Sequence, residues 1–204
     1  MNEYVKINSL WKRDERGKII EGDWAVPEFA FLRNCDWEWA EKVDGTNIRV
    51  GWDGAVVEFG GRTDNAQIPA KLVSALRAMF PPEKFAATFD GPCVLYGEGY
   101  GAGIQSGGNY YPEQTFVLFD VLAGPWWLRR PDVQDVATKM GIDVVPVVGT
   151  GTLMWANETV KAGITSSWGD FQAEGLVGRP AETLFNRRGE RIMAKVKTRD
   201  WASR

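Results

Sequence analysis

Apolar and polar residues alternate along EWAEKVDGTNIRVGWDGAVVEFGGRT, residues 38–63, on both sides of Asp53-Gly54. Asp-Gly suits the positive φ angles of a tight hairpin turn, so the pattern predicts a strand pair with Lys42 on or next to a strand. After Pro69 the spacing becomes helical, with Leu72, Val73, Leu76, Met79 and Phe80 on one face, and Pro81-Pro82 stops the helix. CVLYGEGYG and TFVLFDVLA are predicted strands. Pro131 and Asp132 open a second helix, DVQDVATKM, which Gly141 closes as a C-terminal cap. IDVVPVVGT follows as a strand, NETVKAGI as a short helix, AEGLVGRP as a strand and ERIMAKVKT as the last strand. Hairpins before and after isolated helices, in place of regular βαβ units, predict an α+β domain built on antiparallel sheets. Without an internal repeat or a Pro/Ser linker, one domain over residues 1–204 is expected.

Composition sets the scale and removes whole classes of chemistry. The 204 residues are 44% hydrophobic and 25% charged, enough apolar material for a sizeable core. No stretch approaches the roughly 18 apolar residues of a membrane span and the N-terminus lacks a signal-peptide run, so a cytoplasmic protein is expected. Cys35 and Cys93 are too few for a disulfide framework or a Cys-rich zinc site, and suit buried free thiols in a reducing compartment. The chain has no histidine, which excludes Ser-His hydrolases, Cys-His proteases, HExxH metalloenzymes and most catalytic zinc sites. Chemistry here must use lysine, carboxylates, hydroxyls or a hard metal ion. The net charge of -3 makes no global case for nucleic acid. Locally, RRGERIMAKVKTRDWASR carries seven basic side chains, Arg187, Arg188, Arg191, Lys195, Lys197, Arg199 and Arg204, against Glu190 and Asp200.

Lysine is a nucleophile only as the free amine, which neighbouring cations or desolvation favour. Lys195 and Lys197, two apart on a predicted strand, share one face. With Arg62 of GGRT they could converge on Lys42 and attract an anionic partner such as a triphosphate. Taken alone, Lys42 before Asp-Gly is equally a polar turn. Glu98 lies among glycines that let a ligand approach the backbone, and Glu174 opens an apolar strand. Either could hydrogen-bond ribose hydroxyls or hold Mg²⁺, and either could be a solvated loop acid.

The order of KVDGTN, GGRT, LYGEGYGAGIQ, FVLFD, EGLVGRP and AKVK resembles that of the motifs of covalent nucleotidyltransferases, the superfamily of polynucleotide ligases and messenger-RNA capping enzymes. In particular the chain resembles the phage-type, nick-sealing class of ATP-dependent RNA ligases. Asn47 ends the first motif where DNA ligases and capping enzymes usually have arginine, and GEGYGAGIQSGGNY supports the same choice. The resemblance runs from about Trp39 to Trp201.

That resemblance implies an ATP-grasp-like nucleotidyltransferase domain, antiparallel sheets flanked by helices, in which Lys42 attacks the α-phosphate of ATP to form lysyl-AMP. It further implies that Glu41 meets the adenine through its backbone, with its side chain as a second route, that Asp44 and Asn47 line the phosphate and ribose side, and that Arg62 clamps phosphate or the incoming 5′-phosphate end. Glu98 would bind the ribose, Phe119 would stack on the adenine, Glu174 would hold the catalytic Mg²⁺ or Mn²⁺, and Lys195 and Lys197 would contact the α-phosphate. Without histidine, nucleotidyl transfer remains feasible, because positioning and charge stabilisation carry it. The implied partner is RNA with 5′-phosphate and 3′-hydroxyl ends held by base pairing. From the residues themselves, Trp126-Trp127 beside Arg129 and Arg130 is a candidate RNA contact, although ten tryptophans in a chain of this size are mostly core and rim. Family members commonly carry an additional domain. Here the chain stops nine residues after Lys195, so no appended C-terminal domain is expected: either the enzyme is minimal, or another protein or a further segment completes the substrate clamp. A DNA-nick ligase or GTP-using guanylyltransferase would share the lysine chemistry, and Asn47 and GIQ argue against both. A non-catalytic nucleotide- or RNA-binding module would have no need of the nucleophile.

Overall fold

The computed structural model describes residues 1–201. In chain order its elements are β1 (Asn8–Ser9), β2 (Trp11–Arg13), β3 (Ile19–Trp24), α1 (Pro27–Leu32), β4 (Trp37–Glu41), β5 (Thr46–Trp52), β6 (Val57–Gly60), α2 (Ala70–Met79), α3 (Pro82–Thr88) and β7 (Cys93–Tyr100). There follow β8 (Thr115–Ala123), β9 (Trp126–Trp127), α4 (Arg130–Met140), β10 (Asp143–Val144), β11 (Val147–Gly151), α5 (Leu153–Ala162), β12 (Gly175–Pro180) and β13 (Ala194–Lys197). The chain divides into two units, Met1–Tyr4 with Val43–Val145, and Val5–Lys42 with the chain from Pro146 onward. Among the described residues no helix is long and apolar enough to cross a membrane.

In the first unit the strands run in the order β10-β8-β7-β5-β6, with β9 beside β8. All pairs are antiparallel except β10 with β8. Asp53 makes the β5–β6 turn by accepting the N–H groups of Val56 and Ala55, each at 2.8 Å, and those amides hold its carboxyl below the usual range. Alternation then sorts the side chains. Ile48, Val50, Leu95, Phe116 and Leu118 face a core completed by Leu72, Leu76, Phe80 and Phe85 of α2, α3 and their junction, and by Val133 and Ala137 of α4. Full burial of each such side chain contributes roughly 1.5–3 kcal/mol. Asn47, Arg49 and Glu98, with the opposite parity, lie on the other face. Pro81-Pro82 ends α2 and also starts α3, because proline is tolerated in a first helical turn.

In the second unit the order is β1-β13-β12-β4-β11, and β2 and β3 form a separate hairpin. Trp37 and Trp39 of β4, Leu176 of β12 and Ala194 and Val196 of β13 are buried against Leu153, Ala156 and Val160 of α5. Glu38, Ala40, Val177, Arg179, Lys195 and Lys197 have the opposite parity, and this polar face carries the candidate chemistry. The predicted strand IDVVPVVGT is two strands. Pro146 interrupts it, β10 pairing with β8 in the first unit and β11 with β4 in the second. The predicted strand ERIMAKVKT pairs in the sheet only over Ala194–Lys197. Helix α5 begins at Leu153, ahead of NETVKAGI, because the Thr152 hydroxyl caps it by accepting the Trp155 N–H at 3.1 Å.

Candidate active site

The backbone at Lys42 is fixed where β4 meets β12. Leu176 pairs with Glu41, and the Lys42 N–H donates to the Gly175 carbonyl at 2.9 Å. Gly175 has φ of +149°, and a Cβ there would lie 2.0 Å from the Val196 carbonyl oxygen, so only glycine lets β12 approach β13 this closely. Gly175 also pairs with Lys197, and the Thr198 N–H donates to the Glu174 carbonyl at 2.9 Å. Register alone therefore brings Lys42, Glu174 and Lys197 to one place.

Their side chains form one ionic group. Glu174 Oε2 accepts from Lys42 Nζ at 2.7 Å, and its Oε1 accepts from Lys197 Nζ at 2.6 Å. The three side chains are 21%, 16% and 15% exposed in the order Lys42, Glu174, Lys197, so the pairing is largely shielded from solvent. The expected crowding of Lys42 by cations is thus corrected: a carboxylate stands between it and Lys197. Lys195 lies on the same strand face, two residues before Lys197, opposite Val177. Arg179 and Glu38 extend that face as a cross-strand ion pair at 3.2 Å, which the sequence reading had not singled out.

Glu41 belongs to the buried face. It is 2% exposed, and its carboxylate accepts from the Ser166 hydroxyl at 2.6 Å and the Ser167 N–H at 2.7 Å. Strand parity sends it away from Lys42, so its carboxylate ties down the loop after α5, and an adenine contact through that side chain does not fit. The serines carry no motif that would have revealed this partner.

The other expected site residues belong to the first unit. Asn47 pairs with Glu98 across β5 and β7, and Asn47 Oδ1 is buried without a hydrogen-bond partner. A buried acceptor in that state calls for a ligand or a water. Gly45 is required nearby, since a Cβ there would be 2.3 Å from the Gly99 carbonyl oxygen and 2.8 Å from Glu98 Cγ. Asp44 Oδ2 accepts the Ser106 N–H at 3.2 Å, and its own N–H donates to the Tyr110 hydroxyl at 3.3 Å. Asp44 thus anchors the glycine-rich loop after β7. Arg62 is exposed on a bend after β6. Arg49, a residue the sequence reading missed, sets that bend: fully buried, it donates from Nε to the Gly61 carbonyl at 2.7 Å and from Nη2 to Asp64 at 2.8 Å. Phe119 is half-buried, and the Tyr4 ring packs edge-on against it with centroids 5.0 Å apart. Tyr4 is held there by donating to Asp120 Oδ2 at 2.7 Å. Trp126 is 72% exposed, whereas Trp127 packs on Tyr96 and Tyr4 and Arg130 bonds the Val145 carbonyl. Of the basic tail, Arg204 lies outside the described residues.

Both units match solved structures of an RNA ligase from Naegleria gruberi. One with ATP and manganese gives a TM-score of 0.72 at 17% identity, over 96% of this chain and 56% of that one. Another with AMP and manganese gives 0.69 at 19% identity, over 86% and 53%, and one with pyrophosphate 0.69 at 18%, over 98% and 61%. The chain spans little more than half the length of these relatives, and at such identities the likeness is one of fold, an α+β fold shared with that RNA ligase. No curated protein matches the chain. The sequence pattern of the RNA ligase family matches residues 36–197, and the chain belongs to that family.

Proposed function

We propose that the protein is an ATP-dependent RNA ligase that forms a lysyl-AMP intermediate on Lys42, passes AMP to an RNA 5′-phosphate and joins that end to a 3′-hydroxyl. The observation that carries this reading is the Lys42–Glu174–Lys197 group on one sheet face, at 2.7 and 2.6 Å, in a chain of the RNA ligase family. A purely structural ion pair needs one cation, whereas a nucleotidyl transfer needs a nucleophilic amine, a carboxylate and a cation that meets phosphate charge.

The chemistry of an amine nucleophile sets an order of events. An ammonium has no lone pair, so before it can attack Lys42 must give up a proton, to Glu174 at 2.7 Å or to water, and the resulting amine can still donate to the carboxylate. Its nitrogen then bonds to the α-phosphorus while the bond to the bridging oxygen breaks and pyrophosphate leaves. Lys197, with Lys195 on the same face, would offset charge on the phosphoryl oxygens. In the next step an oxygen of the RNA 5′-phosphate replaces the Lys42 nitrogen on phosphorus. Attack of the 3′-hydroxyl on the RNA phosphorus then expels AMP. Among the described residues no cluster of three or more acidic or cysteine side chains could hold a metal unaided. The donor set fits an ion brought by the nucleotide's phosphates, with Glu174 as the protein carboxylate, since Mg²⁺ commonly binds one or two carboxylates plus substrate phosphate. Such an ion, when bound, screens phosphate charge.

The roles implied for Asp44, Asn47, Arg62, Glu98 and Phe119 are proposals of the same kind. The unpartnered Asn47 oxygen supports one of them, and the Tyr4 ring beside Phe119 would have to make room for an adenine. Base-paired RNA ends and an accessory protein are likewise proposed. Incubation with Mg²⁺ and α-labelled ATP is expected to leave label on the denatured chain in an acid-labile bond, and Lys42→Ala is expected to abolish it while remaining folded. Label from GTP alone would favour a guanylyltransferase, and no label on a folded parent would favour a binding module. Sealing of nicked duplex RNA against nicked DNA then tests the substrate.

A further inference from the structure

A groove of about 880 Å³ lies in the second unit, between α1 and the turn that precedes β13, and none of Lys42, Glu174, Lys195 or Lys197 lines it. Two aromatic rings stand open in it. Phe31 is 85% exposed and Phe185 52%. Single exposed apolar side chains are ordinary, but two exposed rings lining one concave surface point to a contact site. The same groove is lined by the exposed cations Lys6, Arg187 and Arg188. Its acidic residues are Glu28 and Glu190, and Glu190 is already engaged, accepting from Asn186 Nδ2 at 2.8 Å.

The turn is shaped in advance. Asn186 Oδ1 accepts the N–H groups of Arg188 at 2.9 Å and Glu190 at 3.0 Å, and Gly189 supplies φ of +76°. Phe185 and Arg191 bridge antiparallel at its base, and the Ile192 N–H donates to the Leu184 carbonyl at 2.9 Å. Arg187 and Arg188 are thereby carried at the tip of a fixed loop, with the Phe185 ring at its root.

We propose that this groove binds a short single-stranded stretch of RNA, with Phe31 and Phe185 stacking on bases and Lys6, Arg187 and Arg188 pairing with phosphates. The proposal deepens the RNA ligase reading and rests on it for the identity of the polymer. Charge complementarity selects a polyanion, and the rings select its form. A duplex hides its base faces in its own stack, whereas an unpaired strand offers them to aromatic side chains. The groove would thus hold the unpaired stretch that continues from a paired break.

Fluorescence polarisation with a labelled oligouridylate and a labelled RNA duplex tests this on the full chain. The double variant Phe31→Ala/Phe185→Ala is expected to weaken single-strand binding at least about thirtyfold, the loss of two stacked bases, and to leave duplex binding unchanged. Arg187→Ala/Arg188→Ala is expected to lower the slope of log affinity against log salt by about 1.4, from two phosphates at about 0.7 each. All four positions are exposed, so circular dichroism should match the parent, and lysyl-AMP formation should be unchanged. Normal label from ATP together with parental RNA binding by both variants would overturn the groove and leave the ligase reading standing. Equal losses for duplex and single strand in the aromatic variant would also overturn it. Single-strand binding that depends on the groove in a chain that takes no label would support the groove and sink the ligase reading.

Discussion

Replacing Glu174 by glutamine tests the ionic group directly. Each carboxylate oxygen serves a different lysine, Oε2 for Lys42 at 2.7 Å and Oε1 for Lys197 at 2.6 Å. Glutamine keeps the shape but offers one acceptor oxygen and an NH₂, so one lysine retains a neutral partner and the other meets a donor. Two unit charges 2.7 Å apart attract by ~6 kcal/mol at an effective dielectric of 20, and desolvation cancels most of that. Removing one partner from a fully buried pair costs about 3–5 kcal/mol, and the residual solvent access of these side chains lowers the figure to about 2–4 kcal/mol. Lys42→Met is expected to cost less than about 1.5 kcal/mol, since Glu174 stays paired with Lys197. Urea unfolding followed by tryptophan fluorescence measures both, because Trp37 and Trp39 are fully buried in the same unit. The midpoint should fall with an unchanged slope. A Glu174→Gln protein as stable as the parent, or less damaged than Lys42→Met, would refute the claim that the carboxylate is the shared counter-ion of two shielded ammoniums.

Further outcomes follow from backbone and burial. Gly175→Ala would place a Cβ 2.0 Å from a carbonyl oxygen at a φ that disfavours side chains, so it should destabilise by more than about 2 kcal/mol and reduce lysyl-AMP formation. Gly91→Ala, where a Cβ meets nothing within 4 Å, should stay within about 0.5 kcal/mol of the parent on the same urea curve. Burial pushes the Cys93 thiol up from 9.0 to about 12, so in the folded state it keeps its proton where the unfolded chain has lost it. The stabilisation this gives is complete below pH 9 and is lost as pH rises from 9 towards 12. The stability difference between the parent and Cys93→Ala should shrink across that range, and iodoacetamide at pH 8 should modify exposed Cys35 in the native protein and Cys93 only after unfolding.

Much of the architecture was legible because its signals are local. The turn at Asp53-Gly54, strands β7 and β8 and the Gly141 cap of α4 each depend on residues within a few positions of one another. The errors came where distant chain decides. Nothing in IDVVPVVGT says that its halves pair with different sheets. Thr152 is the exception, since its cap on the Trp155 N–H is local and a threonine ahead of a helix is a signal the sequence carries. Phe119 matched a stacking position by its place in FVLFD, and only the fold brought Tyr4, 115 residues earlier in sequence, against its ring.

The sequence by itself determined which residue types were present for chemistry, and strand alternation determined that Lys195 and Lys197 share a face while Glu41 and Lys42 do not. Alternation is a property of the extended backbone and needs no neighbour. Only the tertiary structure decided that Glu174 would stand between Lys42, 132 residues away, and Lys197, that Glu41 would be consumed by a serine loop, and that Phe31 and Phe185 would share a groove. Those outcomes depend on which strands become neighbours and in what register, a choice made by burying Trp37, Trp39, Leu176 and Val196 together and not by any residue of the site.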